Sequence, residues 1–257
     1  MKKSLLTLSI IGMSLVSTAA LAASRNVAVY GDRYPLSTIS SFYDGLVDTD
    51  AAVIGSLSAA NLSGVQLLWA VQPGSAYSAS DVVVMKNFMN TGGRIAFMGE
   101  HGSYAPQENA RISAAVSALG GSIGINTDFP DGGFHDATVG NGQILSNTLT
   151  AGVNTYNYAC FASLVLGGNA QALMVGTDHS QVMMGYQTVG AGSIFLITDQ
   201  NVWDNVYASS NDNKVMFENL LSATVVPSVP EPETYAMLLA GLGLMGAVAR
   251  RRKAKQA

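Results

Sequence analysis

The chain has 257 residues, 48% of them hydrophobic and 12% charged, with a formal net charge of −4. Seven of its thirteen basic residues lie at the two ends, so the stretch 24–226 holds six basic against fifteen acidic residues, a formal −9. That acidity argues against nucleic acid as a partner, because it repels phosphate backbones, and a single cysteine, Cys160, excludes an internal disulfide.

In chain order, Lys2 and Lys3 precede an apolar stretch over 5–16 and then Ala20-Leu21-Ala22. A charged start, a short apolar run and a small-residue cleavage site make a secretory signal peptide, 1–22. The stretch 24–226 is long enough for one well-packed domain. Its first half alternates strand and helix. A strand over 26–30 ends at Gly31-Asp32, and a helix over 35–46 has Pro35 near its first turn. Strands follow over 51–54 and 65–71. Ser80-Asp81 can cap a helix over 82–89, whose Val82, Met85, Phe88 and Met89 fall at helical spacing. Thr91-Gly92-Gly93 stops it before a strand over 94–98, and Gly99-Glu100-His101-Gly102 turns out of that strand. A helix over 110–119 and a strand over 122–125 complete the pattern.

Beyond this point the alternation loosens. A Gly/Asp-rich loop over 128–136 and a polar, turn-like passage over 144–153 precede strands over 159–166, 172–176, 182–186 and 193–198. Several of these lie too close together to enclose helices, so they form an antiparallel or edge extension. A helix over 214–221 ends the domain. The expected class is α/β, a mostly parallel sheet with helices on both faces and an antiparallel extension.

The passage VQLLWAVQPGSAYSASDVVVMKNFMNTGGRIAFMGEHG resembles the strand–loop–helix–Gly-Gly–strand core of class I glutamine-amidotransferase-like domains, closest to their non-catalytic extracytoplasmic versions. The segment Gly192-Ser193-Ile194-Phe195-Leu196-Ile197-Thr198-Asp199 is similar to the last core strand of that group. The resemblance covers about half of the domain. It implies an amidotransferase-like, flavodoxin-like sheet over 24–226, with ligand-facing loops at the strand C-termini. The nucleophilic cysteine of true amidotransferases is missing, since Gly99-Glu100-His101-Gly102 stands at its turn, so no covalent glutaminyl intermediate can form. Cys160 lies in an apolar run and reads as an inert core residue.

The candidate catalytic residues are Glu100, His101 and Asp199. With Asp32, they follow apolar strands and could converge on the rim where open α/β sheets place ligands. A carboxylate–imidazole group there could serve as general acid and base or hold a metal. Alternatively, each caps an element end and is satisfied by backbone amides. Trp203, in the loop after 193–198, is the candidate surface aromatic, whereas Trp69 belongs to the core. Asp128, Asp131 and Asp136 match no EF-hand spacing and read as a turn. His135 and His179 each neighbour an aspartate that faces the other way on a strand. With no G-x-S-x-G and no P-loop motif, no cofactor and no metal is expected.

At the C-terminus, Val229-Pro230-Glu231-Pro232 is followed by an uncharged apolar run over 235–249 and by Arg250-Arg251-Arg252-Lys253. As a helix the run spans roughly 22 Å, marginal for a hydrocarbon core of about 30 Å, and the basic cluster would stay on the cytoplasmic side. This order over 227–257 resembles the PEP-CTERM sorting signal of Gram-negative bacteria. It implies exosortase and the inner membrane as partners, then delivery to the cell surface or an extracellular matrix, with exopolysaccharide a further partner. The expected function is that of a non-catalytic binding or interaction module. The alternative is an extracytoplasmic hydrolase using Glu100, His101 and Asp199 on a small molecule or glycan.

Overall fold

The computed structural model describes residues 25–33, 35–204 and 210–222. The expected signal peptide 1–22, the sorting segment 227–257 with Val229, Pro230, Glu231, Pro232, Arg250, Arg251 and Arg252, and the apolar run 235–249 lie outside the described residues. No helix among those described is long and apolar enough to cross a membrane.

Nearly continuous apolar runs make strands buried on both faces. Strands β1 (Arg25–Gly31), β2 (Thr49–Val53), β3 (Val65–Val71), β4 (Arg94–Met98) and β11 (Gly192–Ile197) pair in parallel in the order β2-β1-β3-β4-β11. In β3, Leu67, Trp69 and Val71 enter one core layer, and Leu68 and Ala70 the other. The first layer is closed by α1 (Leu36–Asp44) and α4 (Asn213–Ser222), which contribute Ile39, Tyr43, Met216 and Phe217. The second is closed by α2 (Ala79–Asn90) and α3 (Pro106–Ala118), through Met85, Phe88, Met89, Ile112, Ala115 and Val116. Helices therefore cover both faces of a mostly parallel sheet.

Local chemistry sets the element ends. The cap of α2 is Ser78 rather than Ser80-Asp81: the Ser78 side chain accepts from the Asp81 amide and the Asp81 carboxylate accepts from Ser78 N, a reciprocal capping box. Helix α3 begins four residues earlier than its apolar spacing predicts, because Pro106 is suited to a first turn.

The extension is antiparallel. Strand β10 (Val182–Val189) pairs with β11, with β9 (Gln171–Val175) and with β8 (Leu164–Leu166), and β5 (Ile123–Ile125) pairs with β8. Two expectations change here. The segment 122–125 follows α3 as a parallel strand would, yet joins the antiparallel edge. The apolar run 159–166 is not one strand. Instead, β6 (His135–Thr138) and β7 (Thr155–Tyr158) form a separate hairpin-like pair, and the chain is irregular from 159 until β8. Ala137, Tyr156 and Tyr158 join the core layer under α4.

Candidate functional site

Parallel pairing brings the C-terminal ends of β1, β3, β4 and β11 to one rim. Past β4 the chain turns sharply where side chains would not fit. A Cβ at Gly99 would lie 2.3 Å from Asn109 Oδ1, and one at Gly102 would lie 2.2 Å from the Thr127 carbonyl carbon. These two glycines allow Glu100 and His101 to leave the strand against α3. Asn109 of α3 fixes the turn, accepting from Glu100 N and donating to the Glu100 carbonyl.

The Glu100 side chain is 1% exposed. Its Oε1 accepts from His101 N at 2.8 Å, and its Oε2 accepts from Gln200 N at 3.0 Å. Asp199, fully buried, accepts from Ala159 N through Oδ2 at 2.7 Å and from Asn201 N through Oδ1 at 2.8 Å. Removal from water pushes the Glu100 carboxyl up to about 8, with the Asp199 charge adding to it. Burial likewise pushes Asp199 up to about 7 against the opposing pull of its two amide donors. Neither has a cationic partner: the ion pairs among the described residues, Arg33 and Arg111 with Glu108 and Lys214 with Glu218, do not reach them. Buried Gln72, at the end of β3, donates from Nε2 to Gln200 Oε1 at 2.8 Å and extends the network across three strands.

His101 is half-buried. Its Nδ1 lies 2.9 Å from Ser103 Oγ, and its ring lies 4.3 Å from that of Phe129 and 5.8 Å from that of Tyr104. Burial holds the imidazole below its usual range. Phe129 and Tyr104 are themselves 48% and 52% exposed, and Arg33 lies over the Tyr104 ring at 5.7 Å. The rim thus carries an accessible aromatic border around a sealed acidic interior.

Cys160 is the residue that the sequence conceals. The irregular segment after β7 is strapped onto the rim: Ala159 N donates to Asp199, Thr198 Oγ1 donates to the Ala162 carbonyl, and Ser163 N donates to Asp128. This brings the Cys160 thiol to Glu100 and His101, with one ligand atom from each residue within 4.8 Å of the others. Cys160 is half-buried rather than in the core, and burial with the Glu100 and Asp199 charges pushes its thiol up to about 12. In sequence, an apolar run gives no sign that its first residues, 159–163, leave the strand conformation.

The other candidates go elsewhere. Asp32 lies on the same rim, but its carboxylate accepts from Gly74 N at 2.7 Å, and it shares no hydrogen bond with Glu100, His101 or Asp199. Trp203 is fully buried and not a surface aromatic. It stacks on Phe217 at 4.0 Å and meets Trp69 edge-on at 5.3 Å, because the short 3-10 turn at Asn201–Trp203 folds it under the sheet. Trp69 is likewise core. Asp128 accepts from Ser163, Asp131 from Tyr158 and Thr177, and Asp136 from Asn157 and Asn211, so the three bind different loops.

Residues 228–253 match the PEP-CTERM protein-sorting motif. The chain carries an exosortase sorting signal. The signal implies export through the envelope with membrane transit, and exosortase as the processing partner. No curated protein matches the sequence. Among solved structures, the mmIFT52 N-terminal domain overlays with a TM-score of 0.61 at 15% identity, over 80% of this chain and 99% of its own. A cytoplasmic protein from Salmonella typhimurium LT2 overlays at 0.56 and 11% identity, over 76% and 98%. A protein from Thermoplasma acidophilum described as a GMP synthase component gives 0.48 at 12% identity, over 77% and 92%, too loose an overlay to carry an argument. At such identities the likeness is one of fold alone.

Proposed function

We propose that residues 24–226 are a flavodoxin-like, non-catalytic binding module, delivered by the signal peptide and by the sorting signal at 227–257 to the cell surface or its polysaccharide matrix. The observation that carries this reading is the state of the two acids a hydrolase would use. All four carboxylate oxygens of Glu100 and Asp199 accept hydrogen bonds from backbone amides, and both side chains are sealed from solvent. Groups held in this way fasten the loops of the rim together, whereas a general acid or nucleophile must reach a substrate atom.

What the rim presents outward is aromatic. Tyr104 and Phe129, beside His101, offer flat apolar faces with polar neighbours, a surface suited to stacking against sugar rings of an exopolysaccharide. Cosedimentation of the full chain with the host's exopolysaccharide tests this. Binding is expected for the wild type and lost in a Tyr104→Ala/Phe129→Ala variant that keeps its fold. Release of reducing ends by the wild type, abolished by Glu100→Gln, would instead establish the hydrolase. Deleting 228–253 is expected to abolish processing in a host that has an exosortase.

A further inference from the structure

We propose that Glu100, His101 and Cys160 form a site for a thiophilic divalent cation of the zinc class. Their carboxylate oxygen, imidazole nitrogen and thiol sulfur lie within 4.8 Å of one another. Zinc binds such atoms at about 2.0–2.3 Å, which sets tetrahedral ligands about 3.5 Å apart. Closing the site therefore requires movement of about one ångström, and half-buried His101 and Cys160 can supply it by small rotations of their side chains.

The donor set selects the ion. A sulfur beside an imidazole disfavours calcium and magnesium, which take oxygen ligands, and suits zinc and its borderline-soft neighbours. The surroundings favour a cation. Asp199 and Asp204 add negative charge around Glu100, and no arginine or lysine ion pair among those described compensates it. The ligands are also held from behind, as metal ligands commonly are. The His101 and Gln200 amides fix the Glu100 oxygens, each of which keeps a second lone pair for a metal. In the tautomer that donates Nδ1–H to Ser103 Oγ, 2.9 Å away, His101 keeps an Nε2 lone pair for a metal. Asp199 holds Ala159 N, directly before Cys160. Three protein ligands leave a fourth position for water or for a ligand group.

The site does not depend on polysaccharide recognition, and the two fail separately: Cys160→Ser is expected to lose the metal and still to cosediment with the polysaccharide. The test is a titration of chelator-treated, detergent-solubilised full chain with Co²⁺, followed by displacement with Zn²⁺. Because Cys160 is the chain's one cysteine, a thiolate-to-cobalt charge-transfer band reports on this residue alone. One Co²⁺ per chain with that band is expected. Cys160→Ser is expected to lose the band and to weaken Zn²⁺ by more than the roughly 10–100-fold typical of an outer-shell partner. A His135→Ala/His179→Ala variant is expected to keep both. Absence of the band in the wild type, or wild-type Zn²⁺ affinity in folded Cys160→Ser, overturns the proposal. Should Cys160→Ser fail to fold, as judged by its metal-free melting, His101→Ala decides: unchanged Zn²⁺ affinity overturns the site, and a comparable loss supports it.

Discussion

The aromatic layer under the sheet and the polar rim at its edge are built from the same strands by opposite means. Below, Trp69 of β3 meets Phe195 of β11, Trp203 and Phe217, and buried area with edge-to-face ring geometry sets most of the energy. At the rim, one or two residues beyond those strands, Gln72 and Asp199 join Glu100 of the β4 turn in a region almost as dry. There, burial is tolerable because each carboxylate oxygen has an amide donor. Apolar burial is indifferent to pH, whereas buried acids without counter-ions stabilise the fold only while conditions favour their neutral form.

Four substitutions sharpen that contrast, in falling order of effect. Trp203→Ala empties the centre of the aromatic layer and is expected to cost about 3–5 kcal/mol in urea unfolding. A cost below about 1 kcal/mol would show that Trp203 is not packed as described. Asp199→Ala strips Ala159 N and Asn201 N of their acceptor and is expected to cost about 2–3 kcal/mol, with the 159–163 segment gaining protease sensitivity. Retention of wild-type stability would mean that these amides find other partners.

The third concerns pH, measured with chelator present. The carboxyls of Glu100 and Asp199 titrate higher in the folded chain than in the unfolded one. Their contribution is therefore fully present below about pH 4 and is lost as pH rises toward about 8. The melting temperature is expected to fall across that window, and Glu100→Gln to flatten the fall. A wild-type melting temperature that rises from pH 4 to 8 would contradict the buried-acid description. The smallest effect belongs to the exposed Lys214–Glu218 pair at 3.5 Å, where Lys214→Ala is expected to change stability by less than about 0.5 kcal/mol.

The parallel half of the fold is legible in the sequence because its signals are local. Runs such as 65–71 and 94–98 are apolar but for Gln66 and Arg94, and Pro73-Gly74 and Gly92-Gly93 punctuate them, so the observed β3 and β4 have those same bounds. The second half depends on pairing partners far apart in sequence. Nothing in the segment 122–125 shows that it will pair with β8, and β6 hides in a stretch that reads as a Gly/Asp loop. The site divides in the same way. Strand-end position places Glu100, His101 and Asp199 on the rim, but the partnership with Cys160 arises through Asp199 and Ala159, a contact forty residues long in sequence. Trp203 reads as a surface residue because a loop after a strand suggests exposure, while a tight 3-10 turn can return a large ring to the interior.

Helix α4 bears on how the molecule is held. It closes under the sheet with the Leu220 carbonyl accepting from Arg94, the first residue of β4, while Glu100 follows the last. Five strand residues, about 17 Å, separate these two poles. A pull applied at the end of α4 is therefore borne at the Arg94 pole, opposite the tyrosine and phenylalanine beside His101.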